Sequence, residues 1–336
     1  MAFIVALLVS ILAGPRFIDF LRRRELGQHI REEGPERHQA KQGTPTAGGV
    51  LILLAASVAF LAFGRYSAAG LTVLFAAVAC GAVGFLDDFI KLTHKRSLGL
   101  SGRWKLLLLG VITAVVAYLA HQRGLSTSIY LPLVDWELPL SYAWYPFLFL
   151  VIAGWANAVN LTDGIDGLAA GTSLIAIFTF VAMNVLATVR TGQFEPGAQS
   201  IANLDMAILG AALVGATIGF LWYNAFPAEV IMGDTGSMAL GGAIGAFAIM
   251  MKSEVLLVLI GGIFLIEALS VMLQVASFKW FKRRIFLMAP IHHHFEMKAW
   301  SETKIMVRFW IVTGILCAAA FALYYRNFFD FFDARL

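Results

Sequence analysis

The sequence predicts an all-α polytopic membrane protein of about ten transmembrane helices with both termini external, and three observations lead there. Of 336 residues, 60% are hydrophobic and only 14% are charged, where a soluble domain carries about 25% charged residues. The mean hydropathy is +0.79. The apolar residues come in continuous runs of about 18 or more, the length that a ~30 Å hydrocarbon core demands of a spanning helix. The short alternating segments of a membrane β-barrel are not seen. Residues 1–336 read as a single integral-membrane domain, with no soluble module and no low-complexity linker.

The runs fall at 2–21, 46–64, 68–89, 104–122, 143–160, 167–189, 203–223, 237–252, 254–276 and 305–325. The first has no basic residue ahead of it, and Arg16 and Asp19 interrupt its far end. It therefore reads as a retained span rather than a cleaved leader. The loops after odd-numbered spans, with their flanks, hold 19 of the 25 Lys and Arg, among them Arg22, Arg23, Arg24, Lys91, Lys105 and Lys279. The positive-inside rule makes those loops cytoplasmic. On the opposite side, residues 123–142 contain Tyr130, Pro132 and Trp136 and suit an interfacial loop or short amphipathic piece. Cys80 and Cys317 sit inside apolar runs and read as packing residues, with no disulfide framework. No internal repeat of the kind that marks many transporters is present.

Polar chemistry concentrates in five stretches, all on the side that the charge bias makes cytoplasmic. GTPTAGG, residues 43–49, follows Lys41; a Gly-rich backbone at a helix start offers amide donors to phosphate, or is simply a turn. GFLDDFIK, residues 84–91, places Asp87 and Asp88 side by side at the end of a span. Adjacent carboxylates repel unless a cation lies between them, and acids at a membrane boundary are costly; Lys91 pairing with Asp87 at i+4 is the plainer reading. NAVNLTDGIDGLAAG, residues 157–171, sets Asn157, Asn160, Asp163 and Asp166 at helical spacing. Such amides and carboxylates read a base edge or a ribose, although capping accounts for one of them. NAFPAEVIMGDTGSMALGG, residues 224–242, carries Asn224 and Asp234 among glycines that let backbone approach closely. APIHHHFE, residues 289–296, holds His292, His293 and His294, which splay on any regular element; this disfavours a three-His metal site, whose ligands normally need wider spacing, and phosphate binding or base chemistry partnered by Glu296 fits better. The preceding FKWFKRR, residues 278–284, reads as an anchor on anionic lipid head groups. Glu267, inside an apolar run, is either functional or paired with a neighbouring helix.

Taken in order, GTPTAGG, GFLDDFIK, NAVNLTDGIDGLA, NAFPAEVIMGDTGS and PIHHHFE give the chain a resemblance, over essentially its whole length, to the polyprenyl-phosphate N-acetylhexosamine-1-phosphate transferases. PIHHHFE resembles the muramoyl-pentapeptide branch. The resemblance implies an enzyme of the bacterial inner membrane with its active site facing the cytoplasm. Its reaction is attack of undecaprenyl phosphate on UDP-N-acetylmuramoyl-pentapeptide, giving lipid I and UMP with Mg²⁺ required. By position in the motifs, Asp234 ligates Mg²⁺, and Asp87 and Asp88 position the lipid phosphate or take its proton. Asn157, Asn160, Asp163, Asp166 and Asn224 line the nucleotide side with Lys41 nearby. His292 and His293 contact phosphate or sugar, and His294 is counted with the substrate-binding residues. Where many relatives carry an aromatic able to stack on uracil, this chain has Ile231. The partners implied are the two substrates and membrane lipid, with a homodimer left open and no nucleic acid. The competing class is a secondary transporter, whose ion sites lie near mid-bilayer in repeated halves; acids gathered at one face without a repeat disfavour it.

Overall fold

The computed structural model describes residues 1–24, 43–94, 99–194 and 197–333. Helix follows helix: α1 (Ala2–Arg23), α2 (Gly49–Phe63), α3 (Ala68–Thr93), α4 (Gly102–Gln122), α5 (Trp144–Thr162), α6 (Leu168–Phe194), α7 (Ala198–Asn224), α8 (Gly233–Met250), α9 (Leu257–Ile260), α10 (Gly262–Phe281), α11 (Ile291–Met297) and α12 (Glu302–Asp333). Each of the ten apolar runs falls on one of these helices, the ninth being shared by α9 and α10. Among the described residues, eight helices are long and apolar enough to cross a membrane: α1, α3, α4, α5 with the 3-10 turn before it, α6, α7, α10 and α12. α2 is apolar but has 15 residues. α8 is a different object, buried without a break from Thr235 to Met250.

α8 is the pillar around which α2, α3, α5 and α6 pack. Small residues make that possible, because they let helix backbones approach closely in an apolar setting. A Cβ added at Gly84 of α3 would lie 2.1 Å from the Asp234 carbonyl oxygen, and one at Gly49 of α2 would lie 2.0 Å from the Gly236 nitrogen. On its other side, a Cβ at Gly241 would lie 2.4 Å from the Trp155 carbonyl oxygen of α5. Three helices thus touch α8 backbone to backbone.

The structure departs from the sequence reading in three places. The loop at 123–142 contains a hairpin, β1 (Ser128–Leu131) antiparallel to β2 (Trp136–Pro139); Lys252 pins it by donating to the Ser126 carbonyl at 2.9 Å and to that of Ser128. The ninth run breaks at Gly261, where a Cβ would lie 2.0 Å from the Trp155 indole nitrogen, so the long helix runs from 262 to 281. Third, α8 starts at Gly233, so Asp234 lies in its first turn.

α3 carries two of the candidate acids, and a residue absent from the sequence reading fixes where it starts. Buried Asp205 of α7 accepts from the backbone amides of Arg65 and Ser67, both at 2.7 Å, and from the Ser67 hydroxyl at 2.8 Å. Ser67 in turn caps α3 through Gly70 N. Replacing Asp205 by Ala takes the acceptor from two amides and a hydroxyl that are partly buried; hydrogen bonds to a charged group contribute about 1.5–3 kcal/mol each. Asp205→Ala is therefore expected to lower the Tm of the detergent-solubilised protein by several degrees, with Asp205→Asn lowering it less. Differential scanning fluorimetry showing no change for the Ala variant contradicts this role.

Candidate functional site

The site is assembled on the segment from Asn224 to Ser237. Asp88, at the end of α3, is buried and spends both carboxylate oxygens on the start of α8: Oδ1 accepts from Asp234 N at 3.1 Å, and Oδ2 from Thr235 N at 3.0 Å and Thr235 Oγ1 at 2.8 Å. A helix N-terminus has unsatisfied amides and a partial positive charge, and a carboxylate from a neighbouring helix answers both. Asp87 points elsewhere: Oδ1 accepts from Leu100 N at 2.8 Å and Oδ2 meets Lys91 Nζ at 2.6 Å. Asp234 sits between two ammonium groups, Lys91 at 3.1 Å and Lys105 at 3.0 Å. The i+4 pair of Lys91 with Asp87 exists, but the same ammonium also bridges to Asp234.

One oxygen from each of Asp87, Asp88 and Asp234 lies within 4.8 Å of the others. At an effective dielectric of ~20, a like-charge pair at that separation repels by about 3 kcal/mol. Two lysines offset part of this. Formally, three carboxylates and two ammonium groups sum to one negative charge, and Asp163 adds another when ionised. All-oxygen donors crowded this closely suit a hard divalent cation such as Mg²⁺. Among the described residues, no histidine joins a metal-holding cluster.

The turn after α5 faces the same segment. The Gly233 amide lies near enough to Asp163 to favour its ionised form, and Gly233 holds a left-handed φ of +73°. Buried Asp166 accepts from Ala228 N at 3.1 Å. Asn224 is a tie: its Oδ1 accepts from Gly167 N at 3.0 Å and its Nδ2 donates to the Val230 carbonyl at 2.9 Å. Asn160 donates to Ser237 Oγ at 3.0 Å. Asn157 donates to Ala153 of its own helix at 2.7 Å. Burial, followed by the charges of Asp234, Asp88 and Asp166, pushes the Asp163 carboxyl up to about 8.

The remaining candidates divide. The amides of Gly48 and Gly49 donate to the carbonyls of Ile231 and Met232, both at 2.9 Å, and Ile231 N donates to the Pro45 carbonyl at 2.8 Å. The GTPTAGG backbone therefore pairs with the Asp234 segment, and these amides are not open to phosphate. Lys41 lies outside the described residues. His292 is fully buried, with Nδ1 3.1 Å from Glu267 Oε1, so Glu267 has a partner on a neighbouring helix. His293 Nδ1 meets Glu296 Oε2, and His294 accepts from Leu287 N at 3.1 Å. The three rings splay as the sequence predicts. Sequence reasoning used Lys91 only as a local pair and Lys105 only in the charge count; a cation one turn into a span, on the same side as the acid pairs, was the available signal. It had no signal for Thr235.

Fold and site together define a polytopic membrane protein whose Asp87, Asp88 and Asp234, paired with two lysines, lie close enough together to hold a metal ion. Residues 70–252 match Glycosyl transferase family 4. Proteins named phospho-N-acetylmuramoyl-pentapeptide-transferase from Geobacillus thermodenitrificans and Geobacillus kaustophilus are 48% and 49% identical over 321 and 322 residues, 94% of each chain. One from Frankia alni is 46% identical over 343 residues, 97% of both chains. The chain belongs to the phospho-N-acetylmuramoyl-pentapeptide-transferases of Glycosyl transferase family 4.

Because the folded Asp163 pKa lies above that of an unfolded carboxylate, its protonated form favours the fold at low pH, and stability falls as pH rises toward about 8. A cation in the adjacent Asp87–Asp88–Asp234 cluster reverses this, since its charge favours the ionised Asp163 carboxylate. The gain in Tm on adding Mg²⁺ or Mn²⁺ is thus expected to grow as pH rises through about 8. Asp163→Asn should flatten that pH dependence. A cation effect equal at low and high pH in the unaltered protein contradicts the arrangement.

Proposed function

We propose that this chain transfers phospho-N-acetylmuramoyl-pentapeptide from its UDP conjugate to undecaprenyl phosphate, releasing UMP and forming lipid I, with Mg²⁺ as cofactor. The observation that carries the reading is the Asp87–Asp88–Asp234 cluster threaded by Lys91 and Lys105 and set against the Asp163–Asp166 turn. Transfer between two anions needs charge cancellation and in-line placement more than covalent chemistry. Asp234 and Asp87 would hold Mg²⁺, which would supply Lewis-acid neutralisation of the pyrophosphate.

The protein's own groups do the rest. Asp88 fixes the start of α8 and so the location of Asp234. Lys105 and Lys91 hold the Asp234 carboxylate and offer positive charge to phosphate oxygens. The acceptor phosphate has a second pKa near 6, so it is already largely ionised at neutral pH. Asp87 therefore serves to orient it rather than to deprotonate it, and a single displacement suffices without a phospho-aspartate. The Asp163–Asp166 turn, with Asn160, takes the nucleotide side.

The proposed orientation puts this cluster at the cytoplasmic face of a bacterial inner membrane. Near the end of α10, exposed Lys279, Lys282, Arg283 and Arg284 alternate with exposed Trp280 and Phe281, a composition suited to anionic head groups. Both termini are then external.

Asp234→Asn is expected to lower Mg²⁺-dependent UMP release at least ~100-fold, the scale of losing a charge-stabilising group, with Tm preserved. Retained UMP release by the folded variant contradicts the role of Asp234. UMP release from another UDP-amino sugar, and none from the muramoyl-pentapeptide conjugate, contradicts the substrate assignment.

A further inference from the structure

Glu267 and His292 are both fully buried, and no step above uses either. Glu267 comes from α10 and His292 from α11, and a carboxylate only accepts, so Nδ1 carries the hydrogen of their 3.1 Å contact. This fixes the ring's orientation and tautomer, as a carboxylate does for a metal-bound or catalytic imidazole. Among the described residues, the other ring nitrogen, Nε2, has no hydrogen-bond partner, and neither does Glu267 Oε2. Nε2 faces Gly164: a Cβ built there would lie 2.3 Å from Nε2 and 2.9 Å from Cε1. The imidazole occupies the space that any side chain at 164 would need.

Gly164 joins Asp163 to Ile165 and Asp166. The contacts described above tie that turn to the end of α7 and the segment after it through Asn224 and Ala228. His292 adds a support from α10 and α11. Stability alone gives no reason for it, because an apolar pair of equal volume fills the space without burying charge.

We propose that Glu267 and His292 are positioning residues: a buried carboxylate–imidazole post that sets the Asp163–Asp166 turn against the substrate and thereby fixes the nucleotide affinity of the site. His292 on this account does not touch phosphate or sugar, unlike its expected role. The inference rests on the reading that this turn takes the nucleotide side.

The test uses the full-length chain in detergent, with kcat and KM for the UDP conjugate and calorimetric binding of UMP. Loss of a residue that orients a ligand-bearing group typically costs 10–100-fold in affinity. Glu267→Ala should raise KM and the UMP Kd about tenfold or more with kcat little changed. Glu267→Gln, whose amide oxygen still accepts from Nδ1, should recover most of the loss. Gly164→Ala should weaken UMP binding by collision with the ring, and adding His292→Ala should partly restore it. This pair decides the matter if Glu267→Ala does not fold. The proposal is overturned if His292→Ala lowers kcat with UMP affinity intact, or if neither Glu267→Ala nor Gly164→Ala moves UMP affinity. Asp166→Asn separates the two levels. Unchanged UMP affinity in that variant removes the nucleotide-side reading itself, whereas weakened binding there with no effect of Glu267→Ala removes only the post.

Discussion

The hold of Asp88 on the first turn of α8 is the contact on which the site depends. Two amides and one hydroxyl of α8 end on this single carboxylate. In water those amides would be hydrated at little cost; within a packed apolar bundle each unanswered one is expensive. The carboxylate from α3 answers them, and by doing so it fixes Asp234 next to Asp87. Glycines at 84 and 49 make the approach possible, since any side chain there would meet the α8 backbone. Asp205 sets the other end of α3. The placement of the acids is therefore a property of the whole α3–α8 contact rather than of a loop.

Electrostatics then determines what the site is good for. Three carboxylates this close are unfavourable alone, and Lys91 and Lys105 leave the cluster formally short of positive charge. Lys91 is about a third exposed, so its pairing with Asp87 is partly screened and contributes modestly to stability. Its use is geometric: one ammonium spans Asp87 and Asp234 and keeps both turned inward. Asp163, pushed toward protonation beside them, shows the same shortage of positive charge from the turn after α5.

The helices were legible because the bilayer imposes a length and a composition on them. What was misread had a packing cause. The apolar run was placed from residue 237, but the helix begins earlier, with Asp234 in its first turn, because α2 and α3 press their glycines against that backbone. Residues 128–139 carried no strong strand pattern, and the hairpin there owes its position to Lys252, more than a hundred residues away. The acid pairs were legible as chemistry because acids beside apolar spans need compensation. Their partners were not, since Lys105 and Thr235 reach them only through the fold. GTPTAGG was legible as a backbone feature, but its amides pair with the carbonyls of Ile231 and Met232 instead of facing a ligand. Glu267 and His292 each stood out alone; only the packing of α10 against α11 makes them one unit.

The central claim is that remote segments meet at the start of α8 to make one cation-binding, phosphate-handling pocket. Anomalous diffraction from crystals grown with Mn²⁺ in place of Mg²⁺ and with UMP tests it most directly. The account predicts a single manganese peak about 2–2.5 Å from carboxylate oxygens of Asp234 and Asp87, the range for hard divalent cations on oxygen, with the nucleotide against the Asp163–Asp166 turn. A manganese peak held by other residues, or none at a concentration that supports turnover, contradicts it.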